Sequence, residues 1–242
     1  MEPHTIFELR RYRLLPGGRE PLISLFDREF VEPQEALGMG VVAEFRDLDD
    51  PDAFVWVRSF RDMEARTEAL QSFYTGPIWK QFGSEANATM LNSDNVLLLK
   101  SAGAVQPFAG NVSREEETQR PQAGGIVIAN TCSLAPGKDG DFARYFFDRA
   151  LPVIQEAGAR VDAAFVTEQS ANGFRRLPVR EGETVFVWFE CHQDEAGVTR
   201  YQERLRQNTD WTNEIYPHMD GLCWRKIETV YLTPTSRSLC AW

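Results

Sequence analysis

The chain has 242 residues, of which 43% are apolar, with 16 Phe and 6 Trp, so it can fill the cores of one large or two ordinary globular domains. Its formal charge of -10 argues against a sequence-independent grip on nucleic acid, which needs clustered cations. No stretch approaches the length of apolar residues that spans a bilayer, and the N-terminus has neither an apolar signal core nor an Arg-rich transit pattern, so a cytoplasmic location without membrane contact is expected.

Thr5 to Leu14 is a β-rich run that ends in Pro16-Gly17-Gly18, a turn signal. Glu20 to Leu37 then places Leu22, Leu25, Phe26, Phe30 and Val31 at helical spacing, with Gly38 as its C-terminal stop. Strands follow over about Val41 to Asp47 and Ala53 to Phe60, joined by an acidic turn. Asp62 is an N-cap for a helix running to about Phe73, a short helical piece covers Pro77 to Phe82, and Val96 to Lys100 is the last strand of this half. The order is β-α-β-β-α-β, the ferredoxin-like split unit. Ala102 to Gly124 is polar and charged and reads as a linker. The order then repeats: strand Ile126 to Leu134, helix Asp139 to Ala157, strands near Arg160 to Thr167 and Thr184 to Cys191, helix Asp194 to about Arg206, a loop around Tyr216 to Asp220, and a strand near Lys226 to Thr233.

The repetition extends to individual residues. Leu14-Leu15-Pro16-Gly17 recurs as Leu134-Ala135-Pro136-Gly137, Phe26-Asp27-Arg28 as Phe147-Asp148-Arg149, Phe54-Val55-Trp56-Val57 as Phe186-Val187-Trp188-Phe189, and Trp79 as Trp211. The offset is 120 or 121 residues before the Phe186 strand and about 132 from it onward, so one insertion around Asn172 to Glu183 accounts for the drift. A period this long is a domain and not a solenoid repeat. The expected architecture is therefore α+β: two tandem ferredoxin-like (βαββαβ) domains, residues 1–101 and 125–242 with a linker over 102–124, packed sheet to sheet as a pseudo-dimeric α+β barrel.

Glu8-Leu9-Arg10-Arg11-Tyr12 running into Pro16-Gly17, then Phe54 to Asp62 with Arg66, then Pro77-Ile78-Trp79, resembles the NIPSNAP family. The second half keeps Pro136-Gly137, the Phe186 to Phe189 strand, Asp194 and Trp211 but has lost the first-strand signature. The resemblance implies the dimeric α+β barrel superfamily, whose members include cofactor-free monooxygenases, polyketide cyclases, haem-handling proteins and proteins with no assigned activity. It predicts the fold better than the reaction, because function lives in the site.

Loss of symmetry between the halves marks candidate site residues. Glu8, Arg10 and Tyr12 share one face of the first strand, whereas the corresponding Ile128, Asn130 and Cys132 carry no charge. Trp56 and Arg58 correspond to Trp188 and Glu190, with His192 beyond them, so Arg58 and Glu190 are placed to form a salt bridge if the sheets face each other. Tyr12 and His192 are the acid-base candidates; Glu8, Arg10, Trp56, Arg58, Trp188 and Glu190 are candidates for holding substrate, with Arg10 or Arg58 able to stabilise an oxyanion. The competing reading is a structural ion pair between Glu8 and Arg10 and hydrogen-bonded structural roles for the rest.

The histidines and cysteines show no metal-ligand spacing, the four Cys read as free buried thiols, and the glycines show no phosphate-loop pattern, so no metal and no cofactor is expected. The functional expectation is a protein that binds a small apolar or aromatic molecule, with cofactor-independent monooxygenase- or cyclase-like proton transfer as its chemistry. The alternatives are a non-catalytic scaffold with a packed barrel, its Cys240-Ala241-Trp242 tail docking a partner, and a haem protein using His218 or His192. Self-association into a homo-oligomer is compatible with all three.

Overall fold

The computed structural model describes residues 3–103, 107, 108 and 125–240. Most of the expected linker, and Ala241-Trp242 of the tail, lie outside these residues. The strands are β1 (Ile6–Leu14), β2 (Gly40–Asp47), β3 (Ala53–Phe60), β4 (Met90–Asn92), β5 (Val96–Ser101), β6 (Ile126–Leu134), β7 (Arg160–Thr167), β8 (Thr184–His192) and β9 (Glu228–Pro234). The helices are α1 (Arg19–Glu29), α2 (Val31–Glu35), α3 (Met63–Thr75), α4 (Pro77–Ala88), α5 (Asp139–Tyr145), α6 (Leu151–Ala157), α7 (Glu195–Gln207) and α8 (Tyr216–Leu222).

Local chemistry sets several boundaries. Pro16-Gly17 and Pro136-Gly137 make the same turn, each glycine at φ 76, with hydrogen bonds from Gly18 N to Leu15 O (2.8 Å) and from Lys138 N to Ala135 O (3.0 Å). A proline followed by a left-handed glycine is the type II signature. Asp62 and Asp194 cap α3 and α7, accepting from Ala65 N and Gly197 N.

Prolines divide helices that sequence periodicity runs together. The helix expected over Glu20 to Leu37 breaks at Phe30, because Pro33 has no N–H for the carbonyl of Glu29 and its ring crowds that carbonyl. In the second half, a π-helical turn (Phe146–Ala150) joins α5 to α6 just ahead of Pro152. A second one (Trp211–Ile215) precedes α8 just ahead of Pro217. The wider turn accommodates the missing bond without ending the helix. The segment around Tyr216 to Asp220, expected as a loop, is therefore helical.

The sheet order is β3-β2-β9-β6-β8-β7-β5-β1, and β1 also pairs with β3, which closes eight antiparallel strands into a barrel; β4 only flanks β1. The expectation of two sheets packed face to face is corrected in one respect. Hydrogen bonds join the sheets at both edges, β2 to β9 (Phe45↔Pro234) and β5 to β7 (Leu99↔Thr167). Closure leaves no unpaired edge within the ring. The same register recurs in each half: Glu8 faces Arg58 and Ile128 faces Glu190, with bulges between Val41 and Ala43 and between Val161 and Ala163.

Alternation then sorts side chains into an interior and two outer layers. The barrel interior holds Phe7, Phe45, Phe165 and Phe189 among aliphatic residues from both halves. The outer face of the first sheet, with Trp56 and Phe60, lies under α1 to α4, and that of the second, with Phe186 and Trp188, under α5 to α8. The shared interior makes the halves thermodynamically inseparable. Phe189→Ala, which removes a fully buried ring touching both halves, is expected to cost about 3–5 kcal/mol. Calorimetry should show one transition, shifted down as a whole; two separate transitions would contradict the shared core.

Candidate functional site

The residues that break the repeat's symmetry build two clusters, each on the helix-covered face of its own sheet. In the first half, Glu8 on β1 stands opposite Arg58 on β3, and Arg10 opposite Trp56. Arg58 donates to Glu8 Oε2 from Nε (3.0 Å) and Nη2 (2.6 Å), Arg10 Nη1 donates to the same oxygen (2.7 Å), and Arg66 Nε of α3 donates to Oε1 (2.7 Å). Arg66 Nη2 also lies 2.7 Å from Oε1, too far off axis for a hydrogen bond. Neutral acceptors take further guanidinium donors: Gln34 Oε1 from Arg58, Tyr12 Oη from Arg10, and Asn172 Oδ1 from Arg66.

These charged groups have essentially no contact with solvent: Glu8, Arg58 and Arg66 are 0% exposed and Arg10 is 1%. Three cations surround one anion, and aromatic faces carry part of the surplus. Arg58 Cζ is 5.1 Å from the Trp56 ring and 5.4 Å from Phe60, and Arg10 Cζ is 5.4 Å from Tyr12 and 5.6 Å from Trp56. Burial raises the Glu8 carboxyl, but Arg58, Arg10 and Arg66 together outweigh it and hold it well below the usual carboxylate range. For Tyr12 burial wins over Arg10, and its phenol is pushed up. Sealed in this way and kept protonated, the Tyr12 phenol has no route to solvent in this structure.

In the second half Glu190 Oε1 accepts from Trp188 Nε1 (2.6 Å) and Asn130 Nδ2 (3.3 Å), and Oε2 lies 4.0 Å from His192 Nε2. The His192 ring packs 4.7 Å from that of Tyr201, whose phenol is pushed up by burial and by Glu190. This group is buried under α7. Arg58 and Glu190 therefore do not meet: each satisfies partners on the outer face of its own sheet, on opposite sides of the barrel. Tyr12 and His192 are separated in the same way. Phe7, next to Glu8 on β1, points the other way, into the barrel.

Open space occurs elsewhere. A cleft of about 720 Å³ lies between the Leu134–Lys138 turn, α5 with its π turn, and α8. Tyr145 and His218 form its wall with their rings 4.2 Å apart, and Trp224, 73% exposed, stands at its mouth. Trp224 N donates to Ser133 O (2.8 Å), which fixes the mouth to the end of β6. Tyr145 Oη is buried and has no hydrogen-bond partner among the described residues. The rim cations are matched by carboxylates: Lys138 and Arg144 lie near Asp141, and Arg149 pairs with Glu214 (3.0 Å).

In the first half the corresponding layer is filled by aromatic side chains. By the repeat's two offsets Tyr145 falls on Ser24 or Leu25 and His218 on Ala86, which is buried in the core. Nearby Trp79 packs on Phe30, Phe73 and Tyr74, and a Cβ on Gly83 would lie 2.7 Å from its ring. Tyr145 and Trp224 were not signalled by sequence, and His218 only as a haem ligand. The one available sign was a large polar ring at a position where the other copy is aliphatic.

Residues 7–102 match the NIPSNAP family model. The chain carries a NIPSNAP domain. Solved structures resemble nearly the whole chain. One, a candidate monooxygenase of Lactobacillus acidophilus NCFM, is 10% identical over 96% of this chain and 94% of its own, with a TM-score of 0.59. A candidate monooxygenase of Fusobacterium nucleatum subsp. nucleatum is 11% identical over 97% and 94%, at 0.60. An anthrone oxidase-like protein is 10% identical over 97% and 92%, at 0.63. At these identities the likeness shows the fold: a mixed α/β protein built on a closed antiparallel barrel. No curated protein matches the chain.

The Glu8 cluster yields a test of its structural role. Glu8→Gln leaves three buried guanidiniums without a counter-charge and is expected to cost about 3–5 kcal/mol. Because the folded carboxyl titrates below its ordinary value of 4.5, its stabilisation is fully present above pH 4.5 and drains as the pH falls from there toward the depressed folded value. Urea melts at a series of acid pH values should show a slope in the wild type that is reduced in Glu8→Gln; identical slopes would remove Glu8 as a source of acid sensitivity.

Proposed function

We propose that this protein binds a small, uncharged, largely aromatic molecule in the second-half cleft, and that the NIPSNAP half serves as the packed partner that holds the barrel shut. The observation that carries the reading is the cleft: about 720 Å³, within the usual size of ligand sites, with a Tyr145–His218 wall and an exposed Trp224 at its mouth. The paired rim charges favour no ionic ligand. The exposed His218 ring supplies the polar group that orients a hydroxyl or carbonyl, and the Tyr145 ring beside it supplies an aromatic face.

The chemistry such a wall can supply is proton transfer, for which an imidazole is the commonest side chain, without a bound cofactor. The similarity to candidate monooxygenases and to an anthrone oxidase-like protein supports an aromatic, oxygen-bearing substrate class. The same reading takes each half as a ferredoxin-like βαββαβ unit, residues 1–101 and 125–242, fused into a pseudo-dimeric barrel in which one unit kept its packing and the other opened. The two recurring registers support it.

Tryptophan fluorescence titrated with neutral phenols and quinones tests this. Saturable quenching is expected, weakened about tenfold or more by His218→Ala, which removes a hydrogen bond, and by Tyr145→Ala, which removes the aromatic wall. Binding should be nearly independent of ionic strength, since no net charge attracts the ligand. Quenching unaffected by both substitutions would overturn the assignment of the cleft.

A further inference from the structure

A second group of ligating side chains lies at one end of the barrel, away from the cleft. Cys191 on β8 and Cys240 in the C-terminal segment are 49 residues apart in sequence, yet their Sγ atoms lie 4.0 Å apart, both buried in the barrel interior. Asp162 on β7 completes the group, its carboxylate and the two sulfurs all lying within 4.8 Å of one another.

Three observations set this group apart from chance neighbours. Asp162 is the extra residue of the bulge between Val161 and Ala163, and a bulge re-aims a side chain that regular pleating would point elsewhere. Arg160 donates to both carboxylate oxygens of Asp162, from Nε to Oδ1 (2.5 Å) and from Nη2 to Oδ2 (2.7 Å); these bonds orient the carboxylate, whose remaining lone pairs are the ones open to an ion. The other half keeps the bulge, between Val41 and Ala43, but carries Gly40, Val42 and Ser59 at the positions corresponding to Arg160, Asp162 and Cys191. The bulge belongs to the fold, whereas the donor set belongs to the second half alone.

We propose that Cys191, Cys240 and Asp162 form a binding site for a thiophilic divalent cation, Zn²⁺ foremost, that fastens the C-terminal segment to the barrel. Two sulfurs sharing a tetrahedral zinc at about 2.3 Å stand about 3.8 Å apart, close to the separation here, and three protein ligands leave one position for water. A disulfide would instead require the sulfurs to close to about 2.05 Å and has no use for the carboxylate or its bulge. On binding, each thiol releases its proton to solvent and the ion accepts two thiolates and one carboxylate. Thr235 N donates to Glu44 O (2.9 Å) and Ser238 Oγ accepts from Glu44 N (3.2 Å), so the segment that delivers Cys240 is already docked along β2. Ion binding and docking of this segment are thereby coupled. No short-range Cys spacing announces the site, because its ligands come from two strands and a tail.

The test uses the full chain, purified under reductant, stripped with a chelator and titrated with Co²⁺ and then Zn²⁺. One equivalent of Co²⁺ is expected to bind with a thiolate-to-metal charge-transfer band and tetrahedral d–d absorption, both displaced by Zn²⁺. Cys191→Ser and Cys240→Ser should lose the bands. Arg160→Ala should lower Zn²⁺ affinity about tenfold. Cys223→Ser, outside the group, should retain them. Cys240→Ser lies beyond the last strand, and an unchanged thermal melt of its metal-free form separates loss of binding from loss of fold. Zn²⁺ should also slow hydrogen exchange over residues 235–240 in the wild type alone. The absence of thiolate–cobalt bands, their survival in Cys240→Ser, or a Cys191–Cys240 disulfide that persists under reductant in place of the ion would each overturn the proposal.

Discussion

The Glu8 carboxylate receives guanidiniums from three separate elements, and none of the four side chains has appreciable contact with water. Much of the first half is positioned through it. Arg58 opposite Glu8 fixes the β1–β3 register, and that pair is the one that closes the ring. Arg66 sets where α3 enters, and Gln34 ties in the short α2 behind the Pro33 break. A buried carboxylate is tolerable only while its cations stay in place, and the cations are tolerable only while it stays ionised. The geometry is consequently stiff.

The cluster also reaches across the repeat. Asn172, bonded to Arg66, opens the insertion that breaks the offset between the halves, and that insertion folds back over the first domain. Phe174 stacks on Tyr74, Arg176 Nη1 donates to Tyr74 O, and Arg180 N donates to Val96 O. The second half thus gave its extra residues to sealing its neighbour. Its own outer layer, by contrast, contains two π turns and an open cleft, and π turns are frequent at functional sites.

The positions of the eight barrel strands, the Asp62 cap and the paired Pro-Gly turns were legible in the sequence, because each rests on local chemistry. So was the placement of Glu8, Arg10 and Tyr12 on one face. Which face that was could not be read. All eight residues of β3 are buried, since one side packs in the barrel and the other under helices, and alternation carries no signal when both sides are apolar. The Arg58–Glu190 bridge failed for that reason. The first π turn was hidden because periodicity runs straight through Pro152, and the second because Pro217 marked its surroundings as a loop. The cleft was hidden because it is space beside Tyr145 and His218, and no composition rule reports a void.

The division between a sealed half and an open half is tested most directly by mapping backbone amide shifts by NMR while a neutral naphthol is titrated into the full chain. The account predicts shifts that cluster at Tyr145, His218 and Trp224, with Glu8, Arg10 and Tyr12 unmoved. Shifts centred on the Glu8 cluster or in the barrel interior would show that the packed half is the one that opens, and would contradict it.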